Sequence, residues 1–181
     1  MFRRLVKDLL LPVAVAIALA FVIQASIAKP YEIPTGSMEP TIKPNDRIIA
    51  NRLIYKFRDI NRGDIVVFEP TESAKRTCTE PSGEDVPFVK RVIGLPGDRV
   101  QVVRDGPTLV NGKPFVIANA GPNPETKTFP PVPPDSLLVL GDNRQNSCDS
   151  HQWVPSPWVP EGNVIGQAEI TYWPLGHVKF L

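Results

Sequence analysis

A serine, a lysine and one polar cluster are the groups in this sequence best placed to do chemistry. Ser37 lies in Tyr31-Glu32-Ile33-Pro34-Thr35-Gly36-Ser37-Met38-Glu39-Pro40-Thr41. A serine preceded by glycine and bracketed by prolines sits on a constrained turn, and Gly36 lets the backbone approach a substrate closely. The Thr35 hydroxyl can point into the same space as the Ser37 amide. Lys90 lies in Phe88-Val89-Lys90-Arg91-Val92-Ile93-Gly94, an otherwise apolar run of β type. A period of two puts it on the face of Phe88 and Val92. Desolvation on that face favours the neutral amine, which can act as a general base where a surface lysine cannot. The third segment, Leu140-Gly141-Asp142-Asn143-Arg144-Gln145-Asn146-Ser147-Cys148-Asp149-Ser150-His151, is a polar cluster closing an apolar strand. Each segment alone also has an ordinary reading. These are a Pro/Gly turn, a lysine snorkelling from an edge strand, and a turn whose Asp and Asn side chains bond their own backbone.

Taken together, the three segments resemble the type I signal peptidases, membrane-bound Ser-Lys endopeptidases. The matching motifs are Pro34-Thr35-Gly36-Ser37-Met38-Glu39-Pro40-Thr41, Gly63-Asp64-Ile65-Val66, Lys90-Arg91-Val92-Ile93-Gly94-Leu95-Pro96-Gly97-Asp98 and Gly141-Asp142-Asn143-Arg144 with Ser147, Asp149 and Ser150. Their order matches too, and the likeness runs to about Gly166 apart from two loops. The resemblance implies that Ser37 is the nucleophile and Lys90 the general base. Thr35 stands where the family has a hydroxyl that helps the Ser37 amide form the oxyanion hole. Ser147 stands where a family serine orients the lysine. Asp142 and Arg91 match a supporting ion pair, and Asp149 matches a family acid. His151 stands where many bacterial members have arginine, which leaves the partner of Asp149 open. The ending Asp149-Ser150-His151-Gln152-Trp153 is similar to the cyanobacterial and thylakoid branch. The implied fold is the family's all-β one, shared with self-cleaving repressors. The implied partners are preprotein signal peptides with small residues first and third before the cut bond. No metal and no cofactor are required.

Such chemistry needs elements to position it. Arg3, Arg4 and Lys7 precede fifteen residues, Leu9 to Ile23, without a polar side chain. Extended to Ala28, the stretch is about 30 Å long as a helix, one bilayer core. The expected division is a cytoplasmic N-terminus over 1–8, a transmembrane anchor over 9–28 and a catalytic domain over 29–181. The basic residues put the N-terminus in the cytoplasm and the catalytic domain on the periplasmic or lumenal side, with membrane lipid as a partner. The alternative is a cleaved signal peptide, since Ser26-Ile27-Ala28 has small residues at its ends.

The rest reads as short strands. The chain has 181 residues, 21 of them Pro and 12 Gly, a density that suits strands and turns and opposes long bundles. Strands are expected at 47–50, 64–68, 88–93, 99–103, 136–140, 164–173 and 178–180, with a hairpin at Asn111-Gly112. Residues 51–58 are weakly helical, and 69–87 and 118–135 are expected as surface loops. The result is a mainly β, antiparallel domain on one membrane helix. A net charge of +1 gives no basic surface for nucleic acid. Two Cys are too few for a disulfide scaffold or a structural zinc site. Cys78 and Cys148 pair only if their Cα atoms lie within about 7 Å; otherwise they are two free thiols.

Three rival functions remain. One is a Ser-His-Asp hydrolase using His151 or His177 with Asp149 or Asp142. Another is a Ser-x-x-Lys enzyme built on Ser26 and Lys29, although its companion motifs are missing. The last is an anchored β domain that only binds partners.

Overall fold

The computed structural model describes residues 10–78 and 86–181. The expected cytoplasmic segment 1–8, the first anchor residue and residues 79–85 of the expected 69–87 loop lie outside the described residues. Helix α1, Leu11–Ile27, has 17 residues, every one apolar but Gln24 and Ser26. At 1.5 Å per residue it is about 26 Å long. Among the described residues no helix is long and apolar enough to cross a membrane. The chain passes straight from α1 into strand β1, Ala28–Glu32, which pairs antiparallel with β2, Arg47–Asn51.

The large sheet is built from β1, β2, β3 (Ile65–Phe68), β4 (Phe88–Gly94), β9 (Ser136–Leu140), β10 (Val159–Pro160), β11 (Val164–Trp173) and β12 (Lys179–Phe180). Its order is β1-β2-β11-β3-β4-β9-β10, with β12 beside β11. All the pairings are antiparallel. Strand β4 has β3 on one side and β9 on the other, and every residue of it but Arg91 is buried. A strand covered on both faces reads as a nearly unbroken apolar run, which is why Lys90 stands out in it.

Neighbouring strands β4 and β9 are joined by a detour through residues 95–135, which forms a smaller sheet. It contains β5 (Val100–Val102), β6 (Thr108–Val110), β7 (Lys113–Phe115) and β8 (Lys127–Thr128), in the order β7-β6-β5-β8. The expected hairpin is there. Asn111 and Gly112 have φ of 52° and 78°, the left-handed pair that a two-residue turn between twisted strands demands. Ile93, Leu138 and Leu140 of the large sheet pack with Val100, Val102, Val110, Phe129 and Val132 of the detour. A second cluster, with Phe68, Phe88, Val92, Leu137, Val139 and Trp153, covers another part of the large sheet. A third gathers Ile33, Met38, Ile42, Ile48, Ile65, Val67 and Val89.

The structure differs from the sequence reading in several places: strands β1 and β10 stand where no strand is expected, and Ala28, expected to end the anchor, begins β1. The expected 69–87 loop contains helix α2, Glu72–Thr77, capped by the Thr71 side chain accepting from the Ala74 amide. One turn and a half is too short to show periodicity, and only the cap announced it. The proline-rich 118–135 segment contributes β8 to the smaller sheet. Residues 51–58 form only a single tight turn, Ile54–Lys56. Cys78, directly after α2, is bonded to Cys148, with the Cα atoms 5.8 Å apart.

Candidate active site

Ser37 sits on a turn held from both sides. The Met38 side chain beside it is buried, as is Ile42, and both belong to the same apolar cluster. Behind it, Asn143 clamps the chain: its backbone amide donates to Ser37 O at 3.1 Å and its Nδ2 to Gly36 O at 2.9 Å. Gly141 makes this approach possible. A Cβ there would lie 2.4 Å from Ser37 O and 2.2 Å from Ser147 Oγ, so no other residue fits without displacing the turn.

Strand β4 delivers Lys90 from the other side. It pairs with Val66 of β3, and its Nζ passes 5.5 Å from the Phe88 ring centroid, on the face expected from period two. Lys90 Nζ donates to Ser37 Oγ at 2.7 Å. Ser37 is 7% exposed and Lys90 5%, so the pair is largely withdrawn from water. Thr35 Oγ1 lies 3.4 Å from Ser37 Oγ. Among the described residues the Ser37 amide donates no hydrogen bond. The pair faces a groove bordered by Tyr31, Ile33, Met38, Pro87 and Phe88.

The polar cluster packs directly behind. Arg91 holds Asp142 with two parallel hydrogen bonds, Nε to Oδ1 at 2.8 Å and Nη2 to Oδ2 at 2.6 Å, and its Nη1 donates to Gly63 O at 2.8 Å. Thr41 Oγ1 donates to the same carboxylate. Asp142 is fully buried, so the fork and the hydroxyl are its compensation for lost water. Asp149, also fully buried, accepts from the Gly141 amide at 2.8 Å and meets His151 Nδ1 at 2.7 Å. The partner left open by the sequence is therefore His151. Burial alone would raise the Asp149 carboxyl, but His151 and the Gly141 amide hold it below the ordinary carboxylate range. Ser147 Oγ is buried beside this cluster and meets no partner in hydrogen-bond geometry among the described residues.

Arg144 joins the cluster to the smaller sheet. Its Nη1 donates to Thr108 Oγ1 at 2.7 Å and Asn123 Oδ1 at 2.6 Å, and its Nε to Gly141 O at 3.1 Å. Burial lowers its pKa, opposed by the charges of Asp149 and Asp142.

Of the expected site residues, Ser37, Lys90 and Thr35 come together, Arg91 pairs with Asp142, and Ser147 and Asp149 pack around Gly141. The rival hydrolase's His151–Asp149 pair does form, but among the described residues Ser37 Oγ is met by Lys90 and Thr35 and by neither histidine, and His177 Nδ1 meets Asp46 Oδ1 at 2.6 Å. Sequence reasoning gave no part to Asn143, Gly141, Thr41 or Arg144. The Gly-Asp-Asn run signalled a turn, but which distant chain that turn grips is a tertiary fact.

A family model described as signal peptidase, peptidase S26, matches residues 6–173. The signal peptidase I of Leptolyngbya laminosa is 43% identical over 167 residues, covering 92% of this chain and 79% of that protein. The probable signal peptidase I-2 of Synechocystis sp. is 42% identical over 168 residues, covering 92% and 72%. Thylakoidal processing peptidase 1 of Arabidopsis thaliana is 36% identical over 171 residues, covering 91% of this chain but 47% of that protein.

Proposed function

Because the chain belongs to the signal peptidase family, peptidase S26, we propose that Ser37 and Lys90 are its catalytic dyad and that residues 9–28 anchor it in a membrane. Its activity is that of a signal peptidase I, a serine endopeptidase that removes N-terminal signal peptides. The observation that carries the dyad is the 2.7 Å hydrogen bond between two buried side chains 53 residues apart.

The geometry supports a general-base mechanism. Burial disfavours an ammonium, and in this mechanism a neutral Lys90 amine takes the Ser37 proton as Oγ attacks the scissile carbonyl. The Ser37 amide and the Thr35 hydroxyl stabilise the oxyanion. Lys90 passes its proton to the leaving amine, and water then hydrolyses the acyl-enzyme with the same base. Ser147, buried and unpaired among the described residues, is the group we assign to orient the lysine. Arg91, Asp142 and Asp149 hold the turn that carries these groups. The substrates are precursors with small residues first and third before the cut bond.

Support for the anchor comes from the surface of α1. Leu11, Val13, Val15, Ile17 and Leu19 are each about half exposed, an apolar surface that water does not favour. The basic residues before it support an orientation with the N-terminus in the cytoplasm and the catalytic domain on the outer or lumenal side. Confinement to the surface from which signal peptides emerge raises the effective concentration of both reactants.

The test is cleavage of a precursor with an Ala-x-Ala site by the full chain in detergent. Ser37→Ala, Lys90→Ala and the double variant should fall to one common background, because a nucleophile and its base act as a unit. Lys90→Arg should fail as well, since a guanidinium stays charged. His151→Ala should keep measurable cleavage. Activity in Lys90→Ala above a few per cent would remove the lysine from this role.

A further inference from the structure

A second polar recess opens at the far end of β2, with a volume of about 500 Å³ and walls that include Arg52, Leu53, Lys56, Glu69 and Asn163. Arg52 donates its backbone N–H to Ile27 O at 2.8 Å, so the recess lies one hydrogen bond from the last residue of α1. Asn51 Oδ1 accepts from the Leu53 and Ile54 amides and fixes the turn that carries Lys56. Phe57 follows, 84% exposed. Among the described residues neither Arg52 nor Lys56 forms an ion pair. Glu69 is the opposing charge on the wall. It is held there by its amide donating to Asn163 O and by Asn163 Nδ2 donating to its carbonyl.

We propose that this recess holds the anionic headgroup of a membrane lipid, with Arg52 and Lys56 as its cationic grip and Phe57 resting in the acyl boundary above it. The proposal rests on reading α1 as a membrane anchor. A guanidinium forks onto a phosphate, an ammonium adds a point charge, and an aromatic ring beside them suits the interface between headgroups and chains. A free phosphate shares the chemistry, but it gains nothing from an exposed phenylalanine or from a recess beside the end of α1.

The test is a native mass-spectrometric titration of the full chain in detergent with phosphatidylglycerol, phosphatidylcholine or soluble glycerol phosphate. We expect one phosphatidylglycerol to bind in preference to phosphatidylcholine. Each basic residue should contribute about fivefold, so Arg52→Gln/Lys56→Gln should weaken phosphatidylglycerol binding about 25-fold and leave phosphatidylcholine unchanged. Glu69→Gln should tighten the anionic lipid. Unchanged phosphatidylglycerol binding in the double variant overturns the site, and displacement of the lipid by millimolar glycerol phosphate makes it a free-anion site instead. Alkaline carbonate extraction of vesicles reads the anchor separately. Release into the supernatant overturns the anchor, whereas retention without headgroup preference overturns only the recess.

Discussion

At the scale of single residues, Thr35 is the sharpest question. Its hydroxyl stands 3.4 Å from Ser37 Oγ, close enough to share the developing charge once a substrate carbonyl enters. Loss of one oxyanion donor typically costs about 10²–10³ in rate. Thr35→Ser should therefore keep most of kcat, and Thr35→Val, nearly the same shape without the hydroxyl, should lose it with little change in KM. Equal rates for the two variants, measured on one precursor, would take Thr35 out of the site. The two residues that the fold brings together, Ser37 and Lys90, were legible from the sequence. A lysine inside an apolar strand and a serine in a Pro/Gly turn are local oddities, and an oddity can be read without knowing the fold. The partner of Asp149 was not legible, because a histidine two residues away is too close in sequence to require any particular structure.

At the scale of elements, the turn between β9 and the Ser147 segment sets the position of Ser37. Gly141 has no room for a methyl group against Ser37 O, and Asn143 grips the same carbonyl. Gly141→Ala should push the Ser37 turn away from Lys90, and displacements of about 1 Å can cost 10²-fold in rate. Single-turnover cleavage and thermal melting on the same sample would check it, and full activity would show that the close packing is not needed. The strands themselves were readable because their periodicity and their turns agreed. Helix α2 and strands β1, β8 and β10 escaped. Six residues behind a Thr71 cap, and two residues within a run of prolines, carry too little pattern, and packing against the sheet stabilises them instead. Reading β4 as a strand was simple, whereas its central place between β3 and β9 depends on a detour that no local signal announces.

At the scale of the whole molecule, two features govern stability. The Cys78–Cys148 bond closes 70 residues of chain and joins α2 to the segment bearing Ser147. Closure of a loop that long contributes about 4 kcal/mol in the chain-entropy account. The Cys78→Ser/Cys148→Ser variant should unfold at correspondingly lower urea, and unchanged unfolding would show that the bond adds nothing. The second feature is Asp149, whose carboxyl is held below its ordinary range. The unfolded chain then binds a proton at a higher pH than the folded one. The stabilisation is fully present above about pH 4, the ordinary carboxylate value, and is lost as pH falls through the lowered one. The stability advantage of the parent over Asp149→Asn should thus shrink on acidification, as read by melting at a series of pH values. A constant gap would mean that the carboxylate is not ionised in the fold. The detour through residues 95–135 has an engineering consequence. It leaves β4 and returns to its neighbour β9, so its ends are adjacent and the connectivity alone would let it be spliced out for a short turn. Arg144 forbids so simple an excision. Without Thr108 and Asn123 its guanidinium would keep only the Gly141 carbonyl, so a miniaturised enzyme must also replace that arginine.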